Sequence, residues 1–292
     1  MTAHRNATHD LQREIAAACL RQAGLEIDWQ SARFGYRGKW TAPSADGSCF
    51  IKLASSPPAA AMLRREIDAY RVVSPHKGYR LPALYRFEDC GDWAIAVLER
   101  IANHAMLRAS ALVRRAGPFE HGAHQLRTAA ELMPESAREG PLSPWRKRLL
   151  QQLGNVAVEA GPSHGDFIYW NIGVTPNGGK ALFDLEYYRA ERYKYFDRLY
   201  WSLLPLVRQA ARHPLLAKAL TRGAPLLAAG LLPRGHLLSA SEALAMVVLD
   251  HAAEVDFENR RPDLVELIGT EELTQRKSIV SVYMRILEGI LG

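Results

Sequence analysis

The sequence predicts an α+β chain in two parts, a strand-rich stretch of about a hundred residues followed by a mostly helical one. Short apolar runs broken by glycines and turn residues crowd residues 27–99. One helical pattern, over 59–73, interrupts them, and helix-period patterns fill most of the chain after Arg100. Five strands and one helix make a small α+β lobe with an antiparallel sheet.

Taken in order, Leu11, Ile15, Ala18 and Cys19 recur at helical spacing and predict a leading helix over 8–23. Strands are predicted over 29–34, 39–42 and 48–53, the last two joined by the turn residues Ser44-Ala45-Asp46-Gly47. Pro57-Pro58 opens the helix at 59–73, since proline is accepted in a first helical turn. Strands follow over 81–85 and 93–99, the second nearly all apolar and therefore buried. Helices are then predicted over 104–115, 119–133, 143–158, 196–212, 214–230, 239–255 and 272–290. A hairpin of strands 172–174 and 181–183 interrupts them, turning at Asn177-Gly178-Gly179. Residues 134–141 and 256–262 read as loops. The predicted boundary separates an N-terminal lobe, 1–101, from a C-terminal lobe, 102–292, and no internal repeat is visible.

Composition narrows the function classes. Lysine and arginine exceed aspartate and glutamate by 37 to 31, giving a net charge of +6 and a pI near 9.3. The excess is spread along the chain with no block long enough for a nucleic-acid tail, so no nucleic-acid partner is expected. It also disfavours a cationic substrate, because like charge repels at encounter. Cys19, Cys49 and Cys90 stand far apart without a C-x-x-C motif, which excludes a zinc framework and argues for a reducing compartment. Residues 1–24 carry charges throughout, so no signal peptide is expected. The most apolar run, 215–232, is interrupted by Lys218, Arg222, Gly223 and Pro225, so no transmembrane segment is expected either. The expectation is a cytoplasmic protein, and its oligomeric state is not legible.

The chemistry concentrates in Ser163-His164-Gly165-Asp166-Phe167-Ile168-Tyr169-Trp170-Asn171 and in Phe183-Asp184-Leu185-Glu186. The pattern is H-G-D-x-x-x-x-N, with D-x-E thirteen residues after the asparagine. Phosphoryl transfer needs a carboxylate to accept the proton of the attacking hydroxyl, and oxygen donors to hold the magnesium that neutralises the nucleotide phosphates. Asp166 is the candidate base, Asn171 and Asp184 the candidate magnesium ligands. Glu186, read as facing the same side of an extended segment as Asp184, is a further candidate ligand. His164 is expected to prop the loop, and Asp197 to brace it or cap a helix.

Lys52 is the single charge in the apolar strand Cys49-Phe50-Ile51-Lys52-Leu53. A buried ammonium needs a partner, and Glu66, on the following helix, is the candidate; Asp68 points to another helix face. Such a pair reaching the nucleotide phosphates is a kinase arrangement. Gly35 and Gly38, in Phe34-Gly35-Tyr36-Arg37-Gly38, form a candidate phosphate-covering loop about a dozen residues upstream. Backbone groups of Glu99 and Ile101 are candidates for the adenine edge.

These motifs resemble the aminoglycoside phosphotransferase and choline kinase superfamily, small-molecule kinases. The resemblance runs in order through residues 27–202. It implies a two-lobed protein-kinase-like fold that uses ATP and Mg2+, with Asp166 as base, Asn171 and Asp184 as metal ligands, and Lys52 with Glu66 anchoring the phosphates. The glycine loop departs from G-x-G-x-x-G, and the last 90 residues carry no motif of the family. Gly165 stands where a protein kinase has an arginine, and no activation loop fits between Asp184 and Phe196. The acceptor is therefore expected to be a small-molecule or glycan hydroxyl. The basic balance and the aromatic catalytic loop favour a sugar. The Phe-Ile-Tyr-Trp string before Asn171 resembles members of this superfamily associated with bacterial cell-surface polysaccharides, which implies a cell-surface glycan precursor. Arg192, Lys194 or Arg198 are expected to line the pocket if the acceptor is anionic. The alternatives are an aminoglycoside-type antibiotic kinase, marked by converging carboxylates, and a nucleotide-binding pseudokinase scaffold.

Overall fold

The computed structural model describes residues 2–35, 38–75, 78–101, 117–122, 124–175, 179–263, 265 and 270–292. In chain order the elements are α1 (Thr2–Gln22), β1 (Arg33–Phe34), β2 (Lys39–Pro43), β3 (Cys49–Ala54), α2 (Pro57–Val72), β4 (Tyr79–Arg80), β5 (Leu84–Asp89) and β6 (Ala94–Glu99). Then come β7 (Gln125–Thr128), α3 (Ala129–Leu132), α4 (Ser143–Leu153), β8 (Ala157–Ser163), β9 (Ile172–Val174), β10 (Lys180–Leu182) and β11 (Arg189–Tyr193). Among the described residues there follow the helices α5 (Phe196–Ala210), α6 (Pro214–Leu231), α7 (Ala240–Asn259) and α8 (Thr270–Leu291).

The chain divides into two compact units, residues 1–105 with 172–186, and residues 106–171 with 187–292. The first is built on a five-stranded antiparallel sheet in the order β1-β2-β3-β6-β5. Period-two alternation gives its strands two different faces. Ile51, Leu53, Ile95 and Val97 pack with Ala16, Cys19 and Leu20 of α1. Ala54, Ala94 and Ala96 pack with Ala59, Leu63 and Ile67 of α2. A small sheet, β4-β10-β9, belongs to the same unit. The second unit holds an antiparallel sheet, β11-β8-β7, and a helical core including Phe196, Leu203, Val248, Tyr283 and Ile286. The predicted α+β class is therefore the observed one: a five-stranded antiparallel sheet with a helix, then a mostly helical part.

Several predicted elements differ. The strand over 29–34 shrinks to Arg33–Phe34, because the Asp28 carboxylate accepts from the Gln30 amide and the Ser31 hydroxyl and ties that segment into a turn. The strand over 81–85 moves to Leu84–Asp89, because Pro82 offers no N–H to a ladder. Residues 119–133 are not one helix. Gln125–Thr128 pair with β8, and Thr128 then caps a single helical turn through a reciprocal box with Glu131. The helix over 143–158 stops at Leu153 before Gly154, and its last residues begin β8. Residues 134–141 contain two 3-10 turns, Glu135–Ala137 and Gly140–Leu142, and α7 runs on to Asn259 through the predicted loop. Helix 104–115, Tyr36-Arg37 and Asn177-Gly178 lie outside the described residues.

Candidate functional site

In the first unit, β3 alternation turns Lys52 away from Ile51 and Leu53, onto the face that α2 covers. Glu66 lies on the same side of α2 as the buried Leu63 and Ile67, at helical spacing. The Lys52 amine stands 2.6 Å from Glu66, the partner expected from the sequence, and also hydrogen-bonds the Asp184 carboxylate. Asp68 is exposed and pairs with Arg71. Burial alone would lower the Lys52 amine; the carboxylates of Asp184 and Glu66 overcome it and hold it well above its ordinary range.

Lys39, at the start of β2, joins this cluster and was missed in the sequence. Its amine pairs with Glu186 and lies 3.9 Å from Glu66. The signal was present: Thr41 sits opposite Lys52, so alternation puts Lys39 on the same sheet face. The five groups carry two positive and three negative charges. Glu66 is wholly buried, and burial pushes its carboxyl up against the pull of the two lysines.

Asp184 has φ of +54°, the left-handed region that few non-glycine residues occupy. The segment after it is not extended as expected. Leu185–Tyr187 form a 3-10 turn, because the chain must bend sharply to enter β11. Glu186 nevertheless shares the lysine cluster with Asp184 through Lys39.

In the second unit, β8 delivers the loop that begins at His164. Asp197, in the first turn of α5, accepts from the Ser163 hydroxyl (2.9 Å) and from the amides of His164 (2.8 Å) and Gly165 (3.0 Å). It is the brace expected from the sequence. Gly165 has φ of +84°, and a Cβ there would stand 2.7 Å from Tyr187 Cβ and 2.6 Å from the Arg192 guanidinium while overlapping the Tyr187 carbonyl. Only glycine lets the loop pass. His164 is fully buried and its Nδ1 accepts from the Asp166 amide.

Asp166 is held by both carboxylate oxygens. Asn171 Nδ2 donates to Oδ2 at 2.9 Å and to the Asp166 carbonyl at 2.9 Å. The Tyr200 hydroxyl donates to Oδ1 at 2.6 Å, and His251 Nε2 lies 3.2 Å from that hydroxyl. Burial and then the Asp166 charge push the Tyr200 phenol well above its usual range. Burial, followed by the charges of Arg192, Arg208, Arg276 and Arg189, pushes His251 well below its own. Neither residue was legible as functional, because both sit in ordinary helical patterns and reach Asp166 only through tertiary packing.

The remaining candidates divide. The Glu99 amide donates to the Ala83 carbonyl and its carboxylate forms a two-pronged pair with Arg80; Ile101 is buried. The Gly35 amide donates to Lys39 and that of Gly38 to Gly35, and Gly38 has φ of +75°, so the two close the β1–β2 turn. Arg192, Lys194 and Arg198 do not present free cations. Arg192 pairs with Asp250 and Glu254, Lys194 with Glu159, and Arg198 with Glu120. Glu258, one turn beyond Glu254 on α7, is answered by Arg276 and by the Tyr187 hydroxyl. Among the described residues no three His, Cys, Asp or Glu side chains form a self-sufficient metal cage, and no helix is long and apolar enough to cross a membrane.

No family model and no curated protein sequence matches the chain. Solved structures of small-molecule kinases match it across most of its length. An aminoglycoside phosphotransferase from Streptomyces rimosus is 18% identical, with 80% of this chain and 95% of that one covered and a TM-score of 0.46. The choline kinase LicA from Streptococcus pneumoniae is 13% identical, with 98% and 99% covered and a TM-score of 0.45. Function is therefore read from the side chains.

Proposed function

We propose that the chain is an ATP- and magnesium-dependent phosphotransferase acting on a hydroxyl of a small molecule, in a reducing, cytoplasmic compartment. The observation that carries the reading is the Lys52 ammonium, buried in an apolar sheet and shared between Glu66 and a backbone-strained Asp184. A fold does not keep a buried cation and an unfavourable φ together without use for them. Lys52, steadied by Glu66, anchors phosphate oxygens, and Lys39 adds a second cation from the glycine turn formed by Gly35 and Gly38. Backbone groups of Glu99 and Ile101 meet the adenine edge. Asp166 accepts the acceptor's proton as the new O–P bond forms and the bond to the departing diphosphate breaks. The grip of Tyr200 and Asn171 fixes the direction in which its oxygens point, and in a loose transition state such positioning counts for more than basicity.

The donor set fits magnesium. Asp184 and Glu186, in the first unit, are hard carboxylates, and the lysine–carboxylate cluster they belong to carries one uncompensated negative charge; Asn171, in the second unit, offers an amide oxygen of the same hard character. Asp184 keeps 40% of its side chain exposed while its lysine partner is buried. When bound, the ion neutralises charge on the phosphates.

For the acceptor we favour a sugar or glycan precursor. Trp170 is 39% exposed next to Asn171, packs edge-on against Tyr169 and carries Arg208 over its ring, a platform suited to a pyranose face. Asp250, Glu254 and Glu258 of α7 are answered by arginines, so they do not form the acidic pocket that a polycation requires. The test is transfer from γ-labelled ATP to panels of sugars, nucleosides and aminoglycosides. Asp166→Ala and Asp184→Ala should each abolish transfer with the fold intact. Activity within about tenfold of wild type, ~1.4 kcal/mol of barrier, would refute the assignment. Efficient turnover of an aminoglycoside would refute the acceptor class.

A further inference from the structure

Between Asp197 and Glu242 the chain runs 44 residues without an aspartate or glutamate, where its average of 31 in 292 gives about four or five. The centre of this stretch is α6, and its amphipathic pattern is inverted. The helix turns Ala217, Ala224 and Ala228 into the core and leaves Leu215 84% and Leu226 78% exposed. An exposed leucine is unremarkable singly, but these two lie eleven residues apart on one helical stripe, about 16 Å along the axis. Ala219 and Arg222 continue the stripe between them, with Lys218 at its border. Lys218 and Arg222 are exposed and form no ion pair among the described residues; the same holds for Arg212 before the helix and Arg234 after it.

We propose that this outer face of α6 docks the protein onto an anionic lipid bilayer, the helix lying in the headgroup plane with its leucines inserted. The chemistry matches on both counts. Leucines enter the acyl boundary while flanking cations meet lipid phosphates, with no acid in the chain between Asp197 and Glu242 to repel them. The helix is too short of apolar length to span, so it lies on the surface. A second copy of the chain is the poorer occupant, since a twofold pairing would bring these unpaired cations against their equals. The proposal stands apart from the phosphotransfer reading, because docking requires neither nucleotide nor acceptor.

The test is co-sedimentation of the full chain with vesicles of phosphatidylcholine alone and of equal parts phosphatidylcholine and phosphatidylglycerol, at low and high ionic strength. Binding is expected to the anionic vesicles only, and to weaken at high salt. Each cation near an anionic surface contributes about fivefold, so Lys218→Gln with Arg222→Gln should lower partitioning about 25-fold. Leu215→Gln with Leu226→Gln should lower it at least tenfold. All four positions are exposed, and unchanged circular dichroism and melting temperature would establish that the variants fold. Absence of wild-type binding to anionic vesicles, or equal binding by wild type and both variants, would overturn the proposal. So would a concentration-dependent dimer in light scattering that Leu226→Gln abolishes, since the face would then join two copies of this chain.

Discussion

Replacing Lys52 with methionine keeps the length of the side chain and removes its charge. In the first unit this leaves Glu66, wholly buried, without the ammonium 2.6 Å away. Lys39 remains 3.9 Å off and is already engaged with Glu186, so it compensates only in part. Asp184 is 40% exposed and can turn to water. The loss is therefore that of one stranded buried carboxylate, ~3 kcal/mol, at the lower end of the range for breaking a buried pair. For a unit of this size that corresponds to a fall in melting temperature of roughly 10 °C. Adding Glu66→Leu should restore most of it, since replacing both charges with apolar groups is often neutral. Neither variant should regain Mg·ATP affinity, because the proposed phosphate anchor is gone from both.

The pH dependence has a definite sign. Burial raises the folded-state pKa of Glu66, and loss of Lys52 raises it further. A carboxyl with a raised folded pKa favours the folded state while protonated, so the deficit of Lys52→Met is smallest below the ordinary carboxylate pKa. It grows as pH rises through the folded value. Urea unfolding of wild type, single and double variants at acidic and neutral pH measures this, with calorimetry for Mg·ATP. A neutral-pH deficit under about 1 kcal/mol would refute the reasoning. So would a double variant less stable than Lys52→Met.

Tyr200→Phe removes a hydrogen bond to a carboxylate, ~1.5–3 kcal/mol, and should cut kcat about 10- to 150-fold with KM for ATP unchanged; steady-state kinetics decides it. His251 has a depressed folded pKa, so its contribution to stability is present above about pH 6.5 and is lost as pH falls below it; His251→Gln should flatten that acid-side loss in urea titrations. Gly165→Ala meets both a left-handed φ and the Tyr187 backbone, and should lose ~2 kcal/mol or more together with transfer activity, read by unfolding and the labelled-ATP assay.

The first unit was largely legible because its signals are local and periodic. The β-β-β-α-β-β order, the Ser44–Gly47 turn and the proline-initiated α2 each follow from a few adjacent residues. The Lys52–Glu66 pair was legible too, since a lone charge in an apolar strand needs a partner. β7, β8 and β11 were not, because their ladders join residues about 26 to 35 apart and their sequences are short and mixed. The same distance hid Tyr200 and His251, which reach Asp166 across 34 residues and more. The missed Lys39 is a different case: alternation places it on the Lys52 face only once the register pairing Thr41 with Lys52 is known, and that register is not written in Gly38-Lys39-Trp40 itself.

Both units treat a candidate reactive carboxylate alike, fixing it through a buried polar partner instead of leaving it to solvent. Asp184 is tied to an amine that burial would discharge were it not for its carboxylates. Asp166 is tied to a phenol whose own ionisation burial suppresses, so Tyr200 stands as the donor in that hydrogen bond. The desolvation that makes these partners costly also makes them rigid, because a buried donor without its acceptor is penalised more than an exposed one. Direction is then set by the fold before any substrate arrives. A surface aspartate would sample several rotamers and lose the orientation that a loose phosphoryl transition state rewards. The same logic extends to α7, where Asp250 and Glu254 share Arg189 and Arg192 and Glu258 pairs with Arg276: an unmatched acid there would pull on Arg192, which packs against Gly165, and unsettle the turn that holds Asp166.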